Sequence, residues 1–98
     1  MIIITGTVQG RPDSIDELIA ASLEHVHRSR AEPGCISHAV HRDVEDENRL
    51  IFVEQWADLD AVRAHFAVPE SAAFVVAAGK LATARPTMHL YQSEETSV

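Results

Sequence analysis

Cys35-Ile36-Ser37-His38-Ala39-Val40-His41-Arg42, then Val44-Glu45-Asp46-Glu47-Asn48, then Arg49-Leu50-Ile51-Phe52-Val53-Glu54-Gln55-Trp56: this central stretch decides the fold. Two runs containing β-branched and aromatic residues flank an acidic link with nothing apolar beyond Val44. Such runs read as strands, and the short link makes them an antiparallel hairpin. Pro33-Gly34 lies just before it and Asp58 just after it. The first stops a helix and the second can start one.

On the N-terminal side, Ile15, Leu18, Ile19, Leu23 and Val26 recur at helical spacing, with Ser22 as a small polar interruption. That is one stripe of an amphipathic helix. Ser14-Ile15-Asp16-Glu17 fits a capping box, and Arg28 and Arg30 suit the negative end of the helix dipole. Ahead of it, Ile2 to Val8 reads as a strand closed by the turn Gln9-Gly10-Arg11-Pro12.

On the C-terminal side, Asp58 caps a short helix through Leu59, Val62 and Phe66. Pro69 suits a first helical position, and Phe74, Ala77, Ala78 and Leu81 continue at helical spacing. Arg85-Pro86 ends that region, Thr87 to Tyr91 reads as a fourth strand, and the polar Gln92 to Val98 is expected to fray.

The order is β-α-β-β-α-β, the split βαβ of the ferredoxin-like α+β class. Residues 1–92 make a single domain and 93–98 a polar tail. In this class both helical regions cover one face of a four-stranded antiparallel sheet. Yet Ile2 and Ile4 oppose Ile3 in parity, and Leu50, Ile51, Phe52 and Val53 load both faces of the third strand. The second face therefore needs a cover, most simply a second copy of the chain, giving a homodimeric α+β barrel.

Composition excludes several classes. The longest apolar run is Ala72 to Ala78, far short of the ~20 residues of a membrane span. No basic n-region follows Met1, and the single Cys35 has no partner for an internal disulfide. The default location is a reducing cytoplasm. The net charge of −7 and the lack of a basic cluster argue against nucleic acid as partner.

Glu32-Pro33-Gly34-Cys35-Ile36, Asp46-Glu47-Asn48-Arg49, Glu54-Gln55-Trp56 and Ala64-His65-Phe66 with Pro69 and Phe74 occur in this order over residues 2 to 91. This succession resembles the antibiotic biosynthesis monooxygenase (ABM) domain. The resemblance implies a dimeric barrel with one pocket per subunit between sheet and helices. It implies oxidation of a small aromatic, anthrone or quinol-type substrate by O₂ without a cofactor. Other members of the family isomerise small phosphorylated diketones, degrade haem, or have no known activity.

The tryptophan of the Glu-x-Trp motif carries over to Trp56 and the helix histidine to His65. Glu70 stands where many members have a second helix histidine, and Phe52 where the polyketide oxidases have asparagine. The places of the haem-degrading triad hold Thr5 to Thr7, His65 and Val75, so that triad is absent.

The candidate catalytic residues are Trp56, His65 and His38. An indole offers a flat wall and one N–H donor; its bland alternative is core filling at a strand end. A histidine near its reference pKa of ~6.5 can take a phenol proton at neutral pH, and His65 lies beside the Leu59-Val62-Phe66 stripe. His38 sits mid-strand among aliphatics, where a polar ring must be paired or functional. Thr5, Phe52, Glu54 and Phe74 complete the expected substrate-binding set. Glu54 shares the parity of Trp56 and needs a partner if buried.

No cofactor or metal is expected. His25 and His27 lie ~200° apart on a helix, and His38 and His41 have opposite strand parity, so neither pair can share an ion. A phosphate-binding isomerase would draw on Arg11, Arg42 and Arg85. A non-catalytic ligand-binding dimer is the third reading.

Overall fold

Seven elements follow one another in a computed structural model that describes residues 1–98: β1 (Ile2–Gln9), α1 (Ile15–Ser29), β2 (Cys35–Asp43), β3 (Asp46–Trp56), α2 (Leu59–Ala67), α3 (Pro69–Leu81) and β4 (Thr87–Gln92). The four strands form one antiparallel sheet in the order β2-β3-β1-β4. This is the ferredoxin-like α+β arrangement expected from the hairpin. Its second helical region is two helices, because Val68 is extended (ψ 126°) ahead of Pro69. A residue before proline is sterically pushed out of the helical region.

The hairpin turn is shorter than the acidic segment suggested. Only Val44 and Glu45 lie outside the ladder, and Asp43 pairs with Asp46. The aspartates close the turn locally: Asp43 Oδ1 accepts from the Glu45 N–H at 2.8 Å and Asp46 Oδ1 from the Asn48 N–H at 3.0 Å. Polar side chains here terminate no strand, because both faces of this ribbon end meet solvent.

Helix α1 corrects two details. Ser14 precedes the helix without capping it. Its hydroxyl donates to the Leu81 carbonyl at 2.8 Å and so ties the start of α1 to the end of α3. The buried row of α1 is Ile15, Leu18, Ser22, His25, Val26 and Ser29, while Leu23 is exposed. The helix turns ~100° per residue, so positions 15, 18, 22, 25 and 29 share a face in alternating steps of three and four. Three of those five residues are polar, which hid the face from an apolar count. By contrast, Asp58 caps α2 as expected, accepting from the Ala61 N–H at 2.9 Å.

β1 alternates strictly, with Ile2, Ile4, Gly6 and Val8 buried beneath the helices. Leu50, Phe52, Glu54 and Trp56 of β3 bury the same way. One core cluster joins Val8, Ile15, Leu18, Val26, Leu50, Phe52 and Ala78; the other joins Ile2, Ile4, Trp56 and Val62. The opposite face carries Ile3, Thr5 and Thr7 beside Gln55, Val53 and Ile51, with Tyr91, His89 and Thr87 along β4. Val53 and Tyr91 are exposed there. Ser93 follows β4 and still pairs with Met1, its N–H donating to the Met1 carbonyl at 2.9 Å. No helix is long and apolar enough to cross a membrane.

Candidate active site

The sheet brings three side chains of β3 to one side: Phe52, Glu54 and Trp56. His38 is the direct cross-strand neighbour of Glu54. A bulge between Cys35 and Ser37 resets the parity of β2. It turns Ile36 outward, 56% exposed, and leaves His38 facing the helices. His25 descends from α1 and His65 from α2. A cavity of about 600 Å³ lies between the sheet and the helices. Phe52, Glu54, Phe74, His25, His65 and Ser71 are among its lining residues.

Two carboxylates and an arginine orient the three imidazoles. Glu32, from the tight loop between α1 and β2, places Oε1 2.7 Å from His65 Nδ1. The carboxylate can only accept, so His65 Nδ1 carries the hydrogen and Nε2 is the free lone pair of the neutral ring. Arg28 Nη2 lies 2.7 Å from His25 Nδ1. A guanidinium can only donate, so the hydrogen of neutral His25 sits on Nε2. Glu54 Oε1 accepts from Trp56 Nε1 at 2.9 Å and lies 3.1 Å from His38 Nε2. That second contact is at ion-pair distance but poorly aligned, and His38 Nδ1 has no polar partner.

The rings pack edge to face and stacked. His25 stacks on Phe74 with centroids 4.2 Å apart, and His65 sits 4.7 Å from Trp56. Burial pushes the His25 imidazole down, and the neighbouring His38, His65 and Arg28 push it further, to about 3 against the partial pull of Glu54. Burial alone would raise Glu54, but contact with His38, the Trp56 N–H and the charge of His65 outweigh it and hold its carboxyl below the usual range.

These shifts predict acid lability. His25 stays neutral in the folded chain but takes a proton near pH 6.5 when unfolded. Unfolding is therefore favoured as pH falls through 6.5 towards 3, by up to about 1.4 kcal/mol per pH unit for this one group. Glu54 adds a loss of the same sign below its ordinary carboxylate range. Urea midpoints of chelator-treated protein are expected to fall between pH 7 and pH 5, and His25→Gln to flatten that fall. An equal slope in wild type and variant would contradict the assignment.

The expected residues divide clearly. Phe52, Glu54, Phe74 and His65 line the cavity. His38 is 1% exposed and lies beneath the lining, 5.7 Å from the His65 ring. Trp56 is fully buried, and its N–H is taken by Glu54. It backs the site and is no wall of it. Thr5 is corrected: its parity puts it on the other face of the sheet, among Val53 and His89. Of the arginines, only Arg85 lines the cavity. Arg11 is held by Asp13 and the Ala82 carbonyl.

Glu32, His25 and Arg28 belong to the site but are not among the residues expected there. The buried row of α1, extended from Ser22 by a step of three, reaches His25. Nothing local marks Glu32, whose partner is 33 positions away.

Sheet, one-sided helices and an imidazole-carboxylate cavity between them define a small α+β pocket protein. The model of the antibiotic biosynthesis monooxygenase family matches residues 1–77, and the chain belongs to that family. An uncharacterised protein of Synechocystis sp. (strain ATCC 27184 / PCC 6803 / Kazusa) is 33% identical over 95 residues. That match takes in 97% of this chain but only 65% of the relative's length. The Bacillus subtilis (strain 168) protein YcnE, whose name assigns monooxygenase activity provisionally, is 26% identical over 86% of this chain and 88% of its own. A Deinococcus radiodurans crystal structure, provisionally named for the same family, superposes with a TM-score of 0.94. It is 22% identical and covers 100% of this chain and 97% of its own.

Proposed function

We propose that the chain is a monooxygenase that oxidises a small phenol, anthrone or quinol with O₂, the electrons coming from the substrate ring itself. The observation that carries this reading is the Glu32–His65 pair at 2.7 Å on the wall of an aromatic-lined cavity. His65 Nε2 takes the hydroxyl or enol proton of the substrate, and Glu32 supports the imidazolium that results. The substrate anion passes one electron to O₂, and the radical pair combines into a peroxide. For an anthrone-type CH₂ the peroxide loses water, so CH₂ plus O₂ becomes C=O plus H₂O. The chain's part is to exclude water, orient the ring and hold the proton. Phe52 and Phe74 supply flat apolar contact, with ring centroids 5.9 Å apart.

Family membership and the cavity support this reading. Oxygen uptake with anthrone and reduced naphthoquinone tests it. A co-purified ligand left unchanged in air, with no uptake, would favour a binding role.

The open sheet face, with Ile3, Val53, Ile51 and Tyr91, is in this proposal covered by a second copy. Light scattering is then expected to give twice the 10.8 kDa chain mass. Val53→Lys would bury an unpaired charge at that contact and is expected to yield single chains. A wild-type monomer at micromolar concentration would contradict the proposal.

A further inference from the structure

His25, His38 and His65 come from three separate elements, and each offers a ring nitrogen within 4.8 Å of the other two. All three are buried, at 6%, 1% and 2% exposed. Metal-binding imidazoles are commonly held from behind by carboxylates, which fix the ring and raise its basicity. Two of these three have such a carboxylate: Glu32 on His65 at 2.7 Å and Glu54 beside His38 at 3.1 Å. His38 Nδ1 and Glu32 Oε2 are buried without any partner. An unpaired buried acceptor costs free energy unless something else occupies it. We propose that His25, His38 and His65 form a binding site for one divalent transition cation of the zinc type.

The charge balance favours such an ion. Glu32 and Glu54 together carry the two negative charges that a divalent cation needs, in a setting where an unpaired charge is costly. Three imidazoles leave a fourth position, and the cavity lined by His25 and His65 supplies it. Tetrahedral zinc with bonds of ~2.1 Å places its ligands ~3.4 Å apart, so ring nitrogens now within 4.8 Å of one another must close by up to about 1.4 Å.

Arg28 opposes the ion, because its guanidinium donates to His25 Nδ1 at 2.7 Å. Arg28 is half-buried and weakly held: its Nε has no partner and its second contact, to Ser71 Oγ, is 3.5 Å long. Metal binding therefore requires Arg28 to swing outward, and the arginine sets the affinity by competing for one ligand. A bound cation also takes the His65 lone pair; that inhibitory consequence rests on the proposed function, whereas the binding does not.

The test uses untagged, chelator-treated full chain titrated with Co²⁺ and then Zn²⁺. One Co²⁺ per chain is expected, with the visible absorption of low-coordinate cobalt, displaced by Zn²⁺. His38→Ala and His25→Gln are each expected to weaken binding by at least about tenfold, and Glu32→Gln by about 10–100-fold. Arg28→Gln is expected to tighten it, a change that a misfolded chain cannot produce. His27→Ala, His41→Ala and His89→Ala, all at exposed positions, are expected to leave it unchanged. Absence of bound Co²⁺, or binding that survives both His38→Ala and His25→Gln, overturns the proposal. So does Arg28→Gln without any gain in affinity.

Discussion

Replacing His65 with alanine is expected to lower kcat for anthrone or quinol oxidation by about 10²–10⁴-fold, the usual worth of a positioned general base. The substitution removes the only imidazole whose free nitrogen follows from a carboxylate partner on the cavity wall. It leaves Phe52 and Phe74 in place, so KM is expected to move much less than kcat. His65→Gln preserves most of the volume and is expected to show the same loss, which separates chemistry from packing. Glu32→Gln keeps the hydrogen-bonding shape but removes the charge that supports the imidazolium. It is expected to fall between wild type and His65→Ala and to shift the pH profile of kcat. Steady-state oxygen uptake measures all three. Full turnover in His65→Ala would remove this histidine from the mechanism.

Gly34→Ala is expected to be the most damaging single methyl group in the chain. Gly34 is the one residue with positive φ, at 82°. An added Cβ would stand 2.5 Å from Ala61 Cβ on α2. The left-handed backbone costs an alanine about 1–2 kcal/mol. Forcing a methyl group into close packing costs about 1–3 kcal/mol more. The sum, about 2–5 kcal/mol, is a large share of the stability of a small domain. At roughly 4–8 °C per kcal/mol, thermal melting is expected to drop by about 8–40 °C. The same residue serves the site. Ala61 and His65 lie one helical turn apart on α2, and Glu32 lies two residues before Gly34. Close approach of that loop to α2 is what lets Glu32 reach His65. Residual activity of folded Gly34→Ala is therefore expected to fall together with stability. A melting point within a few degrees of wild type would show that the loop yields without cost.

The fold was legible because its signals are local. Pro69, Asp58 and Pro33-Gly34 punctuate helices by mechanisms that act within a few residues. The alternation of β1 and β3 follows from the pleat. What escaped the sequence was non-local or polar. The bulge at Cys35–Ser37 changes which face of β2 Ile36 takes, and no residue type announces it. Ser14 satisfies α3 in place of its own helix. Trp56 and His38 have the chemistry a site needs, yet both lie beneath the cavity, because β3 and β2 bury that end against α2. Thr5 differs in parity from Gly6 and Val8, the residues of β1 that turn toward the helices. His27, the neighbour of His25 in sequence, points away from it on the helix. The partners of His25 in space come from β2 and α2, 13 and 40 positions on, a distance at which spacing rules say nothing.

In the proposed function an aromatic-lined cavity with a Glu32–His65 base promotes oxygenation by the substrate's own electrons. The decisive measurement is oxygen consumption by chelator-treated protein with anthrone and reduced naphthoquinone, autoxidation subtracted. Uptake is expected to saturate with substrate, to persist in chelator, and to consume one O₂ per anthrone converted. Uptake no greater than autoxidation, or uptake that appears only when a metal ion is restored, would contradict the proposed function.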